Sequence, residues 1–363
     1  MLAPSPEIDD GVGQYTKDLC SYLSERTEIH HVPFPSSVNP AGYFRPLLSV
    51  AKSESDIIHV QHGYVLFGPA SVMSWLFFPC IFLLSRFGNQ RVVVTVHEAL
   101  NPGLVAPPLR TAKGVYIRLV NHLLVATSDQ LVFLAEHAKD RFSAEVSDAV
   151  VFPHGANTVA TSPYSMPEAK ELFGYEESST LIVEPGYVSR RKGSHLFARL
   201  AKELPEYEFL LAGGASDEKH DRFVEKLTAD APENLRISGL LDEDRFRAAF
   251  AAADVVVLPY LEQTQSGIIN KVNQSGIFNW CAAHSCVVVA SQNEYFEQLA
   301  SEWGCLRLAA PEDTEEMSAT IRRILSDKSE RAELTEQMLE FREANSFRRV
   351  AELHTEMYRD VCC

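Results

Sequence analysis

The stretch LIVEPGYVSRRKGSHLF (181–197) decides how this chain is read. It opens as a short apolar run and passes into a segment where Leu196, Phe197, Leu200, Ala201 and Leu204 recur at helical spacing. Between them stand Arg190, Arg191 and Lys192, bracketed by Gly186 and Gly193. A second apolar run, FLLAGG (209–214), completes the unit as strand, cationic loop, helix, strand. Cations on a surface loop are ordinarily solvated charge and nothing more. In a βαβ unit, however, such a loop lies at the carboxyl end of the sheet beside a helix N-terminus, where backbone N–H groups and the helix dipole favour an anion. Arg and Lys placed there add point charge and fork-shaped donors suited to phosphate. The triplet therefore reads as a phosphate clamp.

At 363 residues the chain suits about two domains on a prior of roughly 150 residues each. A hydrophobic share of 46% and a charged share of 23% are ordinary for a globular protein. The net charge of −16 argues against nucleic acid or anionic lipid as a partner for the whole surface, which makes a local cationic loop more informative. The seven cysteines are an odd number without paired ligand spacing, so they read as reduced thiols and not as a metal centre. The longest apolar segment, SVMSWLFFPCIFLLSRFG (71–88), is interrupted by Pro79 and short for a ~20-residue membrane span. It reads as a buried or partly surface-seated helix, and no signal peptide opens the chain. The expected location is cytoplasmic, with peripheral contact at the inner membrane face the one membrane role left open.

Both halves alternate apolar strands with helical segments. Strands are expected at 29–34, 56–60, 91–96, 130–134 and 149–153, and again at 180–184, 209–213, 235–239, 254–260, 286–291 and 305–310. First-half helices are expected near 12–26, 70–86, 112–125 and 136–143. From Ala156 to about Glu177 the periodicity lapses into Ser, Thr, Pro and Glu, which reads as a linker. The fold class is thus α/β, with two Rossmann-like domains at 1–160 and 161–342. The charged helical tail from Glu333 to Tyr358 carries Phe347, Val350, Leu353, Met357 and Val361 on one face, and its end, 343–363, is expected to pack back on the first domain. The opening MLAPSPEIDDGVG (1–13) brings a glycine loop without a full apolar strand before it. The expectation is a truncated first strand and a chain less stable than one with that strand intact.

The motifs then stand in a recognisable order. DDGVGQYTKDLCSYL (9–23), VVVTVHE (92–98), VVFPHGAN (150–157), GYVSRRKG (186–193) and the strand, helix and strand ending at PYLEQTQSG (259–267) resemble GT-B glycosyltransferases of the family 4 type over nearly the whole chain. The resemblance implies the GT-B architecture, two Rossmann-like domains facing each other across a cleft. It implies a retaining, metal-independent hexosyltransferase of polysaccharide or glycoconjugate synthesis, moving a sugar from a nucleotide diphosphate sugar to a glycan, lipid-linked or small-molecule acceptor. It brings no cofactor beyond that co-substrate, and no nucleic acid.

By position Lys192 matches the family's catalytic Lys, and Arg190 or Arg191 must supply a second cation, because the family's Arg after the strand's Gly is Tyr187 here. Leaving-group charge develops on the β-phosphate as the glycosidic bond breaks, so fixed cations there favour the transition state over the ground state. Gly11 and Gly13 open a helix where nothing blocks close approach of a phosphate or sugar. His97 follows an apolar strand and should emerge at its edge, where the family's His contacts the transferred sugar. His154 is expected to order the hinge, and His59 and His62 to line the acceptor side. The strand ends add Gly186, Gly213 and Ser238 to the donor side.

Relatives carry two Glu near PYLEQTQSG; Glu262 matches the first, while the second falls on Asn270, or on Asn279 or Trp280 when counted back from CVVVAS (286–291). QSG occurs twice, at 265–267 and 274–276. The later copy keeps the spacing to VVAS, so Ser275, Gly276 and Ile277 are expected at the phosphate and the first copy as an inserted turn. Two rivals remain: a non-catalytic GT-B protein that binds a nucleotide sugar or supports a partner transferase, and a nucleotide-sugar 2-epimerase.

Overall fold

Two parallel sheets of six strands each, and a third of two strands, carry the chain. The computed structural model describes all residues except 5–10, 36–38, 69–70, 109, 147–148, 158–160, 216–217 and 266–267. The chain divides into two compact units.

The first unit comprises Met1–Gly155, Thr264–Gln274 and Phe347–Cys363. Its strands are β1 (Leu2–Pro4), β2 (Val32–Phe34), β3 (Ile57–His62), β4 (Arg91–Val96), β5 (Gln130–Phe133) and β6 (Ala149–Val151), in the order β2-β1-β3-β4-β5-β6. Its helices are α1 (Gly11–Leu23), α2 (Ala41–Ala51), α3 (Ser74–Gly88), α4 (Arg110–Thr127) and α5 (Glu136–Arg141). The run RVVVTV of β4 is buried from Val92 onward, as β-branched residues in a parallel strand covered on both faces should be. β1 is three residues long and pairs with β2 and, at Leu2, with Val60 of β3.

Right-handed crossovers fix the layers. The step from β1 to β2 runs opposite to the steps from β2 through β3 and β4 to β5, so α1 lies on one face of the sheet and α2, α3 and α4 on the other. The cores agree: Tyr43, Phe77, Phe78 and Leu124 pack with Val60 and Val94, while Tyr15 and Leu19 pack with Phe347 and Val350 of the C-terminal helix.

The second unit comprises Ala156–Gln263 and Ser275–Ser346. In order it has α6 (Met166–Leu172), β7 (Leu181–Pro185), α7 (Ser194–Glu203), β8 (Glu208–Ala212), α8 (Glu218–Ala229), β9 (Leu235–Ile237), α9 (Glu243–Ala252) and β10 (Val255–Leu258). After the short pair β11 (Gln263–Gln265) and β12 (Ile268–Asn270) come α10 (Gly276–Ala283), β13 (Val288–Ser291), α11 (Glu294–Trp303), β14 (Arg307–Ala309), α12 (Thr314–Ser326) and α13 (Lys328–Ala344). The C-terminal helix is α14 (Phe347–Cys362). The sheet order β14-β13-β10-β7-β8-β9 reverses direction between β7 and β10.

Three expectations are corrected. The linker holds helix α6, because Ser165, Pro167 and Glu168 form a helix start: Ser165 and Glu168 make a reciprocal capping box. The tail is two helices, interrupted at Asn345 and Ser346, where the Asn345 amide donates to the Phe341 carbonyl at 2.8 Å. Thr264–Gln274, placed in the second domain by the sequence, groups with the first unit, where Ile268 bridges Val105 and Asn273 accepts from Arg141 at 2.9 Å. Helix α2 also escaped the sequence reading, since Pro46 lies inside it.

Candidate active site

The point where strand order reverses in a doubly wound sheet is where ligands sit, and in the second unit the loops after β7 and β10 meet there. They are fastened together. The Leu261 N–H donates to the Arg191 carbonyl at 2.9 Å. Gly193 caps α7 at φ +79°, and a Cβ on it would fall 1.9 Å from the Pro259 carbonyl oxygen.

This juncture splits the cationic triplet. Arg190 is exposed, with its guanidinium 5.3 Å from the Phe223 ring centroid, and Arg191 is exposed beside it. Lys192 turns inward: its ammonium donates to the Tyr260 hydroxyl at 2.5 Å and lies 4.0 Å from the same ring's centroid. Tyr260 is in turn 3.2 Å from the Ser275 hydroxyl, which caps α10 by accepting the Phe278 N–H at 3.2 Å. Burial, and then the charge of Arg191, push the Lys192 ammonium down to about 7. Burial holds the Tyr260 phenol well above its ordinary value.

Beneath Lys192 lies a group that the sequence reading missed. Glu184, buried in β7, accepts from the Ser194 hydroxyl at 2.7 Å, and its other oxygen has no partner among the described residues. Burial raises its carboxyl to about 8, against the Ser194 hydrogen bond and Lys192. The signal was a carboxylate inside the apolar run TLIVE (180–184); Tyr260 was signalled only by its place after a strand.

The remaining donor-side residues divide by environment. Gly186, at φ +106°, leaves its missing Cβ position 3.0 Å from Ile277, and a Cβ on Gly213 would meet the Gly186 carbonyl oxygen at 1.9 Å. Both glycines are thus required by close packing of the loop itself. Gly276 has nothing within 4 Å of its Cβ position, and the first N–H groups of α10 have no intrahelical acceptor. The Ser238 hydroxyl donates to the Gly239 carbonyl at 2.8 Å. Glu262 is exposed. Asn279, where the second carboxylate was sought, is buried and donates to the Ser275 carbonyl at 3.0 Å. In the first QSG copy, Ser266 and Gly267 lie outside the described residues, so the inserted turn has no structural account.

In the first unit Gly11 and Gly13 form the first turn of α1, and Gly11 has nothing within 4 Å of its Cβ position. His97 follows β4 but is buried at its end. Its Nε2 lies 2.8 Å from Gln61 Oε1, so with Gln61 accepting, Nε2–H donates and Nδ1 is an acceptor without a partner among the described residues. Tyr15 meets the ring edge-on at 5.0 Å, and burial lowers its pKa to about 3, leaving a neutral imidazole. His154 packs on Tyr15 at 4.9 Å. His59 and His62 do not line a surface: His59 lies 2.5 Å from the Tyr358 hydroxyl and 2.7 Å from that of Thr95, and His62 is stacked on Phe67 in the core. Among the described residues, no cluster of three or more His, Cys, Asp and Glu side chains could hold a metal ion.

Two Rossmann-like units of parallel β-sheet, with a cationic strand-end loop in the second, define the GT-B class of fold. Over 99% of the chain the fold matches sucrose-phosphate synthase from Thermosynechococcus elongatus (98% of that chain, TM-score 0.77, 16% identity). It matches Anabaena Alr3699/HepE in complex with UDP over the same shares (TM-score 0.75, 14% identity). Residues 181–327 match the family described as Glycosyl transferases group 1. The phosphatidyl-myo-inositol mannosyltransferase of Mycolicibacterium smegmatis is 30% identical over 192 residues, 51% of this chain and 45% of that protein. The chain matches less than half the length of the curated relatives it resembles.

Proposed function

We propose that this protein is a retaining glycosyltransferase that moves a hexosyl group from a nucleotide diphosphate sugar to a glycan, lipid-linked or small-molecule acceptor without a metal. The observation that carries the reading is the convergence of Lys192, Tyr260 and Ser275 where the second unit's sheet reverses direction. There the diphosphate would take Lys192, one of the neighbouring arginines and the first N–H groups of α10. As the glycosidic bond breaks, the leaving β-phosphate oxygen gains charge that Lys192 stabilises, and that oxygen accepts the proton of the attacking acceptor hydroxyl. The bare Nδ1 of His97 suits a hydroxyl donor such as a sugar OH. The named relatives and the UDP complex of HepE support a nucleotide sugar as co-substrate.

Calorimetry with UDP, GDP, ADP and their sugars on wild type and Lys192→Ala tests this. Selective binding of one nucleotide that the variant loses supports the clamp, and NMR of the product anomer then reports retention. A folded wild type that binds none of them overturns it. Asn279, buried where a second carboxylate was sought, favours one other reading, a non-catalytic nucleotide-sugar binder. Tight binding with neither transfer nor donor hydrolysis would select it.

A further inference from the structure

Helices α2, α3 and α4 form one layer on one face of the first unit's sheet, and their outward side is apolar. Eight of the thirteen exposed large hydrophobic residues among those described lie on these three helices. On α3, Phe77, Phe78 and Ile81 face the core while Leu76, Leu83 and Phe87 repeat on the opposite side, with Phe87 88% exposed. Phe44 and Leu48 of α2 and Leu119 of α4 extend the patch, at 61%, 58% and 50% exposure. Trp75 and Tyr116 tie α3 to α4 through a 3.0 Å hydrogen bond. Exposed apolar side chains gathered on one helical layer in this way mark an interaction site and not a solvated face.

Charge decides what covers it. In a chain of net charge −16, these three helices contain Arg45, Arg86, Arg110, Lys113 and Arg118 and no Asp or Glu at all. Among the described residues, Arg45, Arg86, Arg110 and Arg118 take part in no salt bridge. A second copy docked by the same face would set cations against cations. No described helix is long and apolar enough to cross a membrane, so the layer can lie on a bilayer but not span it. Screening over about 8 Å confines the attraction to this local face and leaves the acidic remainder of the chain outside it.

We infer that the α2–α3–α4 layer is a peripheral docking surface for an anionic lipid bilayer. Leu76, Leu83 and Phe87 enter the headgroup boundary, and the arginines pair with lipid phosphates. The inference is independent of the catalytic reading, because vesicle capture needs neither donor nor acceptor.

The test is flotation of the full chain with vesicles of phosphatidylcholine alone or of equimolar phosphatidylcholine and phosphatidylglycerol, at low and high salt. Capture by the anionic vesicles, weakened by salt, is expected. Arg86→Glu with Arg118→Glu should lower partitioning by more than about tenfold. Leu83→Ser with Phe87→Ser should lower it comparably, and both pairs, being exposed, should leave the thermal midpoint unchanged. Absence of capture, or capture that neither pair alters, overturns the inference. So does a solution dimer, seen by light scattering, that Leu83→Ser with Phe87→Ser dissociates.

Discussion

Lys192 and Tyr260 are joined twice, by a 2.5 Å hydrogen bond from ammonium to phenol and by the ammonium's position 4.0 Å from the centroid of the same ring. A phenol holds the cation in place without neutralising it, as a carboxylate would. The charge therefore remains available to an anionic ligand. Lys192→Ala should weaken nucleotide binding by more than about tenfold, since a charge-assisted contact is removed. Tyr260→Phe keeps the ring but loses the hydroxyl that links Lys192 to Ser275, and should cost about 2 kcal/mol in denaturant unfolding while retaining measurable binding.

Nucleotide affinity should fall as pH rises from about 6 to 9. Burial brings Lys192 down to about 7 and Glu184 up to about 8, so the rising pH removes a cation and then creates an anion beside it. Both changes oppose a diphosphate. Calorimetry across that range should show two steps, and Glu184→Gln should abolish the upper one. An affinity independent of pH would refute the assignment.

The first unit should unfold in mild acid. Burial lowers His62 and His97 to about 3 and His154 and His354 to about 4, from an ordinary 6.5. Below 6.5 the unfolded chain binds protons that the folded chain refuses, so stability falls with pH, by about 1.4 kcal/mol per unit for each histidine. Four together approach roughly 8 kcal/mol near pH 5, which is comparable to the whole stability of a domain. The ring nitrogens of His62 have no hydrogen-bond partner among the described residues, and the ring stands among Tyr64, Phe67 and Phe78. His62→Phe should accordingly move the acid midpoint, followed by circular dichroism, to lower pH.

Two glycines at the candidate site should respond in opposite ways. Gly193→Ala forces a Cβ to 1.9 Å from the Pro259 oxygen at φ +79°, and should cost about 3 kcal/mol or more in denaturant unfolding. Gly276→Ala meets nothing within 4 Å and should stay within about 0.5 kcal/mol of wild type. If a diphosphate sits against α10, the same Gly276→Ala should still lose roughly tenfold in nucleotide affinity.

Much of the fold was legible because parallel strands buried on both faces are continuous apolar runs. The expected 91–96 is β4 without adjustment, and every other expected strand overlaps an observed one. Helices whose signals conflict were harder to read. Pro46 hides α2, and the Ser, Pro and Glu that begin α6 read as a linker. The later QSG copy was placed by its spacing to VVAS, and Ser275 does cap α10.

Composition and periodicity by themselves determined the two series of alternating strand and helix and the cationic loop after β7. Both are local properties of the chain. Only the tertiary structure decided which cation of the triplet turns inward, that Tyr260 and Glu184 surround it, that His59 and His62 belong to the core, and that the apolar helices share one outward face. Those outcomes depend on strand order and crossover hand, which bring together residues far apart in sequence and set the burial that shifts their charges.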